Sequence, residues 1–68
     1  MYIRLNGEKR EFIANQSVNQ LVCELSGSED PQGVAVAING QIVRRTDWQT
    51  RALEAEDEVE VLRAVSGG

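Results

Sequence analysis

Hydrophobic and polar positions alternate along Tyr2-Ile3-Arg4-Leu5, with Ile3 and Leu5 on one face. Asn6-Gly7 follows, and Lys9-Arg10-Glu11-Phe12-Ile13 resumes an extended pattern. Asn-Gly between two such runs predicts a hairpin, because both residues tolerate the positive φ of a type I′ turn. The period then changes. Val18, Leu21, Val22 and Leu25 recur at helical spacing and form one narrow apolar stripe. Ser17 stands at the N-cap, Gln20 where a capping box places Glu or Gln, and Gly27 at the C-cap. Ser28 to Gly33 is a loop by composition.

Val34-Ala35-Val36-Ala37-Ile38 predicts a strand with its large side chains on one face and its alanines on the other. Asn39-Gly40 turns it into Gln41-Ile42-Val43. Thr46-Asp47-Trp48 reads as a short capped turn, and Glu58-Val59-Glu60-Val61 begins a last strand running on to Val65. Strand, strand, helix, strand, strand, strand predicts an α+β fold: a mixed sheet of four to five strands packed on one main helix. The economical arrangement sets the first and last strands side by side at the sheet centre, as in the ubiquitin-like β-grasp. Residues 1–64 are expected to form this domain and 65–68 a flexible C-terminal tail.

Composition narrows the chemistry. A chain of 68 residues has room for one small domain. It has one cysteine and no histidine, which excludes an internal disulfide framework, a His-ligated metal and any His-dependent relay. No apolar run approaches the roughly 18 residues of a membrane span, and Met1-Tyr2-Ile3-Arg4 does not open a signal peptide. The expected compartment is the cytoplasm, without membrane association. A net charge of −4 disfavours nucleic acid, which calls for a basic patch.

The chemistry lies at the end of the chain. At average glycine usage two terminal glycines arise by chance in about 0.5% of chains. Val65 to Gly68 reaches roughly 13 Å beyond a sheet. Gly67 and Gly68, lacking Cβ, fit a narrow slot. The tip is an α-carboxylate, ionised at neutral pH. A carboxylate is a poor electrophile but becomes reactive as an acyl-adenylate, from which AMP leaves far better than oxide. The chain holds no P-loop, no GxGxxG and no basic phosphate cradle, so another protein must supply the activation.

At this point the whole chain resembles the ThiS family of thiamine-biosynthesis sulfur carriers. The resemblance rests on several stretches. These are Ile3-Arg4-Leu5-Asn6-Gly7, Ser17-Val18 with Leu21 and Leu25, Val36 to Val43, Trp48 after the Arg pair, Asp57 to Val61, and Gly67-Gly68. Arg44 stands where Pro is common before Arg45, and Glu56 where Gly commonly precedes Asp57; both positions fall in turns. The resemblance implies that an E1-like adenylating enzyme, using ATP and magnesium, adenylates the Gly68 carboxylate. Sulfur from a cysteine-persulfide relay protein then replaces AMP, and thiazole synthase takes it from the Gly68 thiocarboxylate. Gly67 is the slim spacer. The protein would be a carrier and co-substrate rather than an enzyme, with no cofactor of its own and monomeric when free. The small subunit of molybdopterin synthase and a ubiquitin-like protein modifier are the alternatives. The former tends to carry Pro shortly before Gly-Gly, and the latter would yield conjugated ladders instead of a thiocarboxylate.

Val59 and Val61 claim the inward face, so Leu62 and Ala64 should point to the open face and share it with Tyr2 and Arg4 as a docking surface. Cys23 lies about 140–150° from the stripe centre and is expected to face solvent without a role in sulfur transfer. Trp48 is expected as a half-buried cover. Arg44, Arg45 and Arg51 are read as solvated. The run Glu54, Glu56, Asp57, Glu58 and Glu60 places five carboxylates in seven positions. It reads as a solvated turn and the outer face of a strand, able to steer toward a basic partner.

Overall fold

Asn6 and Gly7 adopt φ of 50° and 85°, the pair of positive angles a type I′ turn requires. They join β1 (Tyr2–Leu5) to β2 (Glu8–Glu11) in register Ile3↔Arg10. The computed structural model describes residues 1–27 and 32–63. Most of the Ser28–Gly33 loop, the proposed 64/65 boundary, Ala64, Gly67 and Gly68 lie outside the described residues. The helix α1 spans Val18–Ser26. The strands β3 (Val34–Ile38), β4 (Gln41–Val43) and β5 (Glu58–Arg63) follow, with a 3₁₀ turn at Arg45–Asp47 after β4.

The five strands form one sheet in the order β2-β1-β5-β3-β4. β5 is central, parallel to β1 and antiparallel to β3, so the last strand lies beside the first as expected. The hairpin asparagines do more than turn. Asn6 Oδ1 accepts from Val61 N at 2.9 Å, and Asn6 Nδ2 donates to Val61 O at 3.3 Å. Asn39 Oδ1 accepts from Glu58 N at 3.0 Å. Each turn therefore also pins β5, a long-range role that the local turn pattern did not reveal.

The helix forms as its caps dictate. Gln20 N donates to Ser17 Oγ at 3.1 Å, and Ser17 N to Gln20 Oε1 at 2.9 Å. Val18 N and Asn19 N find the carbonyls of Arg51 and Trp48, so the chain leading to β5 satisfies the remaining first-turn amides. Val18, Leu21 and Val22 are buried against Ile3, Val36, Ile38 and Val59, with Phe12, Trp48 and Leu53 closing the core.

Trp48 corrects its expectation: it is 1% exposed and one of the largest core side chains. Burial is affordable because Nε1 donates to Val43 O at 3.0 Å, while the Arg45 guanidinium lies 4.9 Å from the ring centre. Asp57 also departs from the solvated-run reading. Its carboxylate is buried, accepting from Glu54 N at 2.9 Å and Asn39 Nδ2 at 3.1 Å with Arg51 at 3.7 Å. Arg51 is correspondingly half-buried rather than solvated. Glu54, Glu56, Glu58 and Glu60 remain exposed.

Glu56 sits at φ 69°, in the left-handed region. The resemblance leads one to expect Gly at this position, and a Cβ there costs about 1.5 kcal/mol. Glu56→Gly is expected to stabilise the fold by roughly 0.5–1 kcal/mol after the entropy of the unfolded chain is deducted, raising the melting temperature by about 2–6 °C. A scan by circular dichroism showing no rise would remove the strain argument.

Candidate functional site: the open sheet face and the end of β5

Strand pleating decides what the end of β5 presents. Val59 and Val61 turn toward the helix, whereas Glu58, Glu60 and Leu62 turn to the uncovered face. Across the ladder Leu62 lies opposite Ala35, and Glu60 opposite Ala37. Ala37 in turn lies opposite Ile42. Leu62 is 63% and Ile42 80% exposed, with the two small alanines between them. The result is a shallow apolar strip beside the strand end from which the C-terminal segment continues. Ile42 is not among the residues expected on this face. Its signal was present, since a two-residue Asn39-Gly40 turn fixes Gln41 opposite Ile38 and so sends Ile42 outward.

Tyr2 and Arg4 share this face but not this strip. Parallel pairing sets Arg4 opposite Glu58. Leu62 is then roughly 13 Å further along the strands and Tyr2 roughly 20 Å away. Tyr2 instead carries Lys9 Nζ 4.2 Å from its ring centre. With Arg4, Glu56 and Glu58 they line a shallow cleft of about 540 Å³ at the opposite end of the sheet. The single docking patch expected from alternation is thus two separate surfaces.

Arg63 turns back to the helix side, where Nη2 donates to Leu25 O at 2.8 Å. Cys23 is half-buried and not fully solvent-facing. The connection from β2 crosses that flank of α1, held by Gln16 Nε2 on Glu24 Oε2 at 3.0 Å and by Arg10 at 3.8 Å from Glu24. No group of three or more Asp, Glu, Cys or His side chains suited to a metal occurs among the described residues. No described helix is long and apolar enough to cross a membrane.

The ThiS family model matches residues 3–68. The chain is 31% identical over 68 residues to the sulfur carrier protein ThiS of Escherichia coli K12, covering both chains completely. It is 34% identical over 68 residues to a segment of the thiazole synthase of Paramagnetospirillum magneticum, spanning 20% of that protein. A crystal structure of a thiamine biosynthesis protein (ThiS) from Geobacter metallireducens superposes with a TM-score of 0.81 at 24% identity, covering 100% of both chains. SAMP1 from Haloferax volcanii superposes with a TM-score of 0.58 at 17% identity, covering 98% and 97%. These structures share the β-grasp fold described above, and the full-length sequence match adds kinship to shape: this chain belongs to the ThiS family.

Proposed function

We propose that the chain carries sulfur for thiazole formation in thiamine biosynthesis, as a thiocarboxylate on Gly68. The observation that carries this reading is the family match extending through residue 68, onto a Gly67-Gly68 terminus that follows the central strand of the sheet. Gly68 supplies the reacting carboxylate and Gly67 a spacer without a side chain. An E1-like enzyme transfers AMP from ATP to the carboxylate with loss of pyrophosphate, using magnesium. The outer sulfur of a cysteine persulfide on a relay protein then attacks the acyl-adenylate and displaces AMP, and a thiol cleaves the resulting acyl disulfide, releasing the Gly68 thiocarboxylate and leaving the relay cysteine in a disulfide. The protein acts as carrier and co-substrate, and its partners perform the catalysis. Thiazole synthase is the consumer this reading favours, since one such enzyme contains a segment similar to this chain as a fifth of its own length.

The open face serves docking in this account. Leu62 with Ile42 forms the apolar contact nearest the C-terminal segment, and Tyr2 and Arg4 form a separate polar-aromatic one. Ala64, assigned to the same face from alternation, belongs to the proposal on sequence alone. Leu62→Asp is expected to weaken binding to the adenylating enzyme at least tenfold, because it desolvates a carboxylate in an apolar contact. The exposed position leaves folding intact. Titration calorimetry giving an unchanged Kd would remove the strip from the interface.

The chemistry is tested by preparing the protein by ligation with a C-terminal amide at Gly68. In a reconstituted thiazole-forming reaction the free acid should support turnover and the amide should not. Equal rates would refute the reading.

A further inference from the structure

The end of β5 is less supported than its beginning. On one side β3 pairs with it as far as Val34↔Arg63. On the other, β1 pairs only at Arg4↔Glu58 and Leu5↔Val59, and the Asn6 side chain extends this to Val61. Among the described residues, Leu62 and Arg63 therefore have a strand neighbour on one side only. At this point the Arg63 side chain reaches across to α1, and Nη2 donates to Leu25 O at 2.8 Å. The helix has no basic residue in its own last turn, so the cation that favours its C-terminal carbonyls comes from the strand. The bond is exposed, and exposed bonds of this kind add little to global stability. It connects the helix end to the strand whose continuation leads to Gly67-Gly68.

We propose that Arg63 is a positioning residue: by tying the end of β5 to α1 it fixes the point from which the chain continues to Gly68, relative to the Leu62–Ile42 strip. This rests on the reading that the Gly68 carboxylate is adenylated. Residues 64–68 can span at most roughly 17 Å, so added freedom at residue 63 enlarges the volume through which the terminal carboxylate must search. Attack on a phosphorus centre tolerates misplacement of only about 1 Å. Without the tie, docking through the strip would still occur, but the carboxylate would reach the reacting geometry less often. The loss should fall on turnover and spare docking.

ATP–pyrophosphate exchange with an E1-like adenylating enzyme of a ThiS system separates these effects. Arg63→Ala is expected to lower kcat about 3–10-fold with KM within about twofold and the melting temperature nearly unchanged. Arg63→Lys should recover at least half of the lost kcat, because an ammonium can donate to the same carbonyl. Leu62→Asp should show the reverse split, a raised KM at near-normal kcat. Wild-type kcat in Arg63→Ala, a loss confined to KM, or a lysine variant no better than alanine would overturn the proposal. Absence of exchange with the unaltered protein would overturn the adenylation reading and this proposal with it. Exchange by the unaltered protein with an unaffected Arg63→Ala overturns this proposal alone.

Discussion

Deletion of Gly68 is expected to abolish thiocarboxylate formation while leaving the fold intact. The shortened chain still ends in a carboxylate, on Gly67, so the loss would not come from chemistry at the terminus. It would come from reach. One residue fewer withdraws the acid by roughly 3.5 Å, and an acid held outside attacking distance of the ATP α-phosphate loses the proximity on which adenylation depends. A fall of at least about 100-fold in adenylation is predicted. The folded state should not notice, since the buried apolar residues among the described ones run from Ile3 to Val59 and a glycine has no side chain to add to them. Far-ultraviolet circular dichroism and the melting temperature should match the full-length protein. A collapsed spectrum would mean that the terminus has a structural role. Retained activity would mean that Gly68 is not the reacting residue.

Trp48→Ala is the substitution expected to harm the fold most. The side chain is 1% exposed, and removing a buried aromatic of this size costs about 3–5 kcal/mol. It also leaves Val43 O without the donor that Nε1 provides. A domain of this length is stable by only about 3–10 kcal/mol, so the variant should be largely unfolded at 37 °C. Trp48→Phe keeps most of the apolar burial and loses the hydrogen bond, and should cost about 1–2 kcal/mol. Trp48 is the single tryptophan, so urea unfolding must be followed by circular dichroism rather than by fluorescence. A Trp48→Ala protein with near-native stability would show that the ring covers the core without being part of it.

What could be read from the sequence was short in range. The two Asn-Gly hairpins, the Ser17–Gln20 capping box, the Val18/Leu21/Val22/Leu25 stripe and the outward alanines of β3 are decided by neighbours within a few residues. The structure reproduces each of them. The misjudged residues are those whose surroundings come from afar. Trp48 is drawn into the core because the segment after β4 caps the helix N-terminus, joining Trp48 O to Asn19 N across the chain. Asp57 looked like one more carboxylate in an acidic run until Asn39, from another hairpin, supplied a donor. Tyr2 and Leu62 share a face by alternation, but only the parallel register of β1 and β5 tells how far apart they stand. Glu56 is different again: the resemblance singled out the position, and the structure places it at a left-handed φ of 69°.

The candidate site divides along the same line. Gly67-Gly68 is proposed as the reacting end from sequence alone and lies outside the described residues. The surface proposed to deliver it is not legible in the sequence, since Leu62, Ala35, Ala37 and Ile42 come from three strands and meet only through the sheet registers.

Sulfur loading at Gly68 is tested by intact mass spectrometry after incubation with ATP, magnesium, an E1-like adenylating enzyme, a cysteine-persulfide donor and a thiol reductant. The expected result is a mass gain equal to sulfur replacing one oxygen, dependent on ATP and confined on digestion to the peptide ending in Gly68. An unchanged mass, or sulfur found instead on the Cys23 peptide, would contradict it.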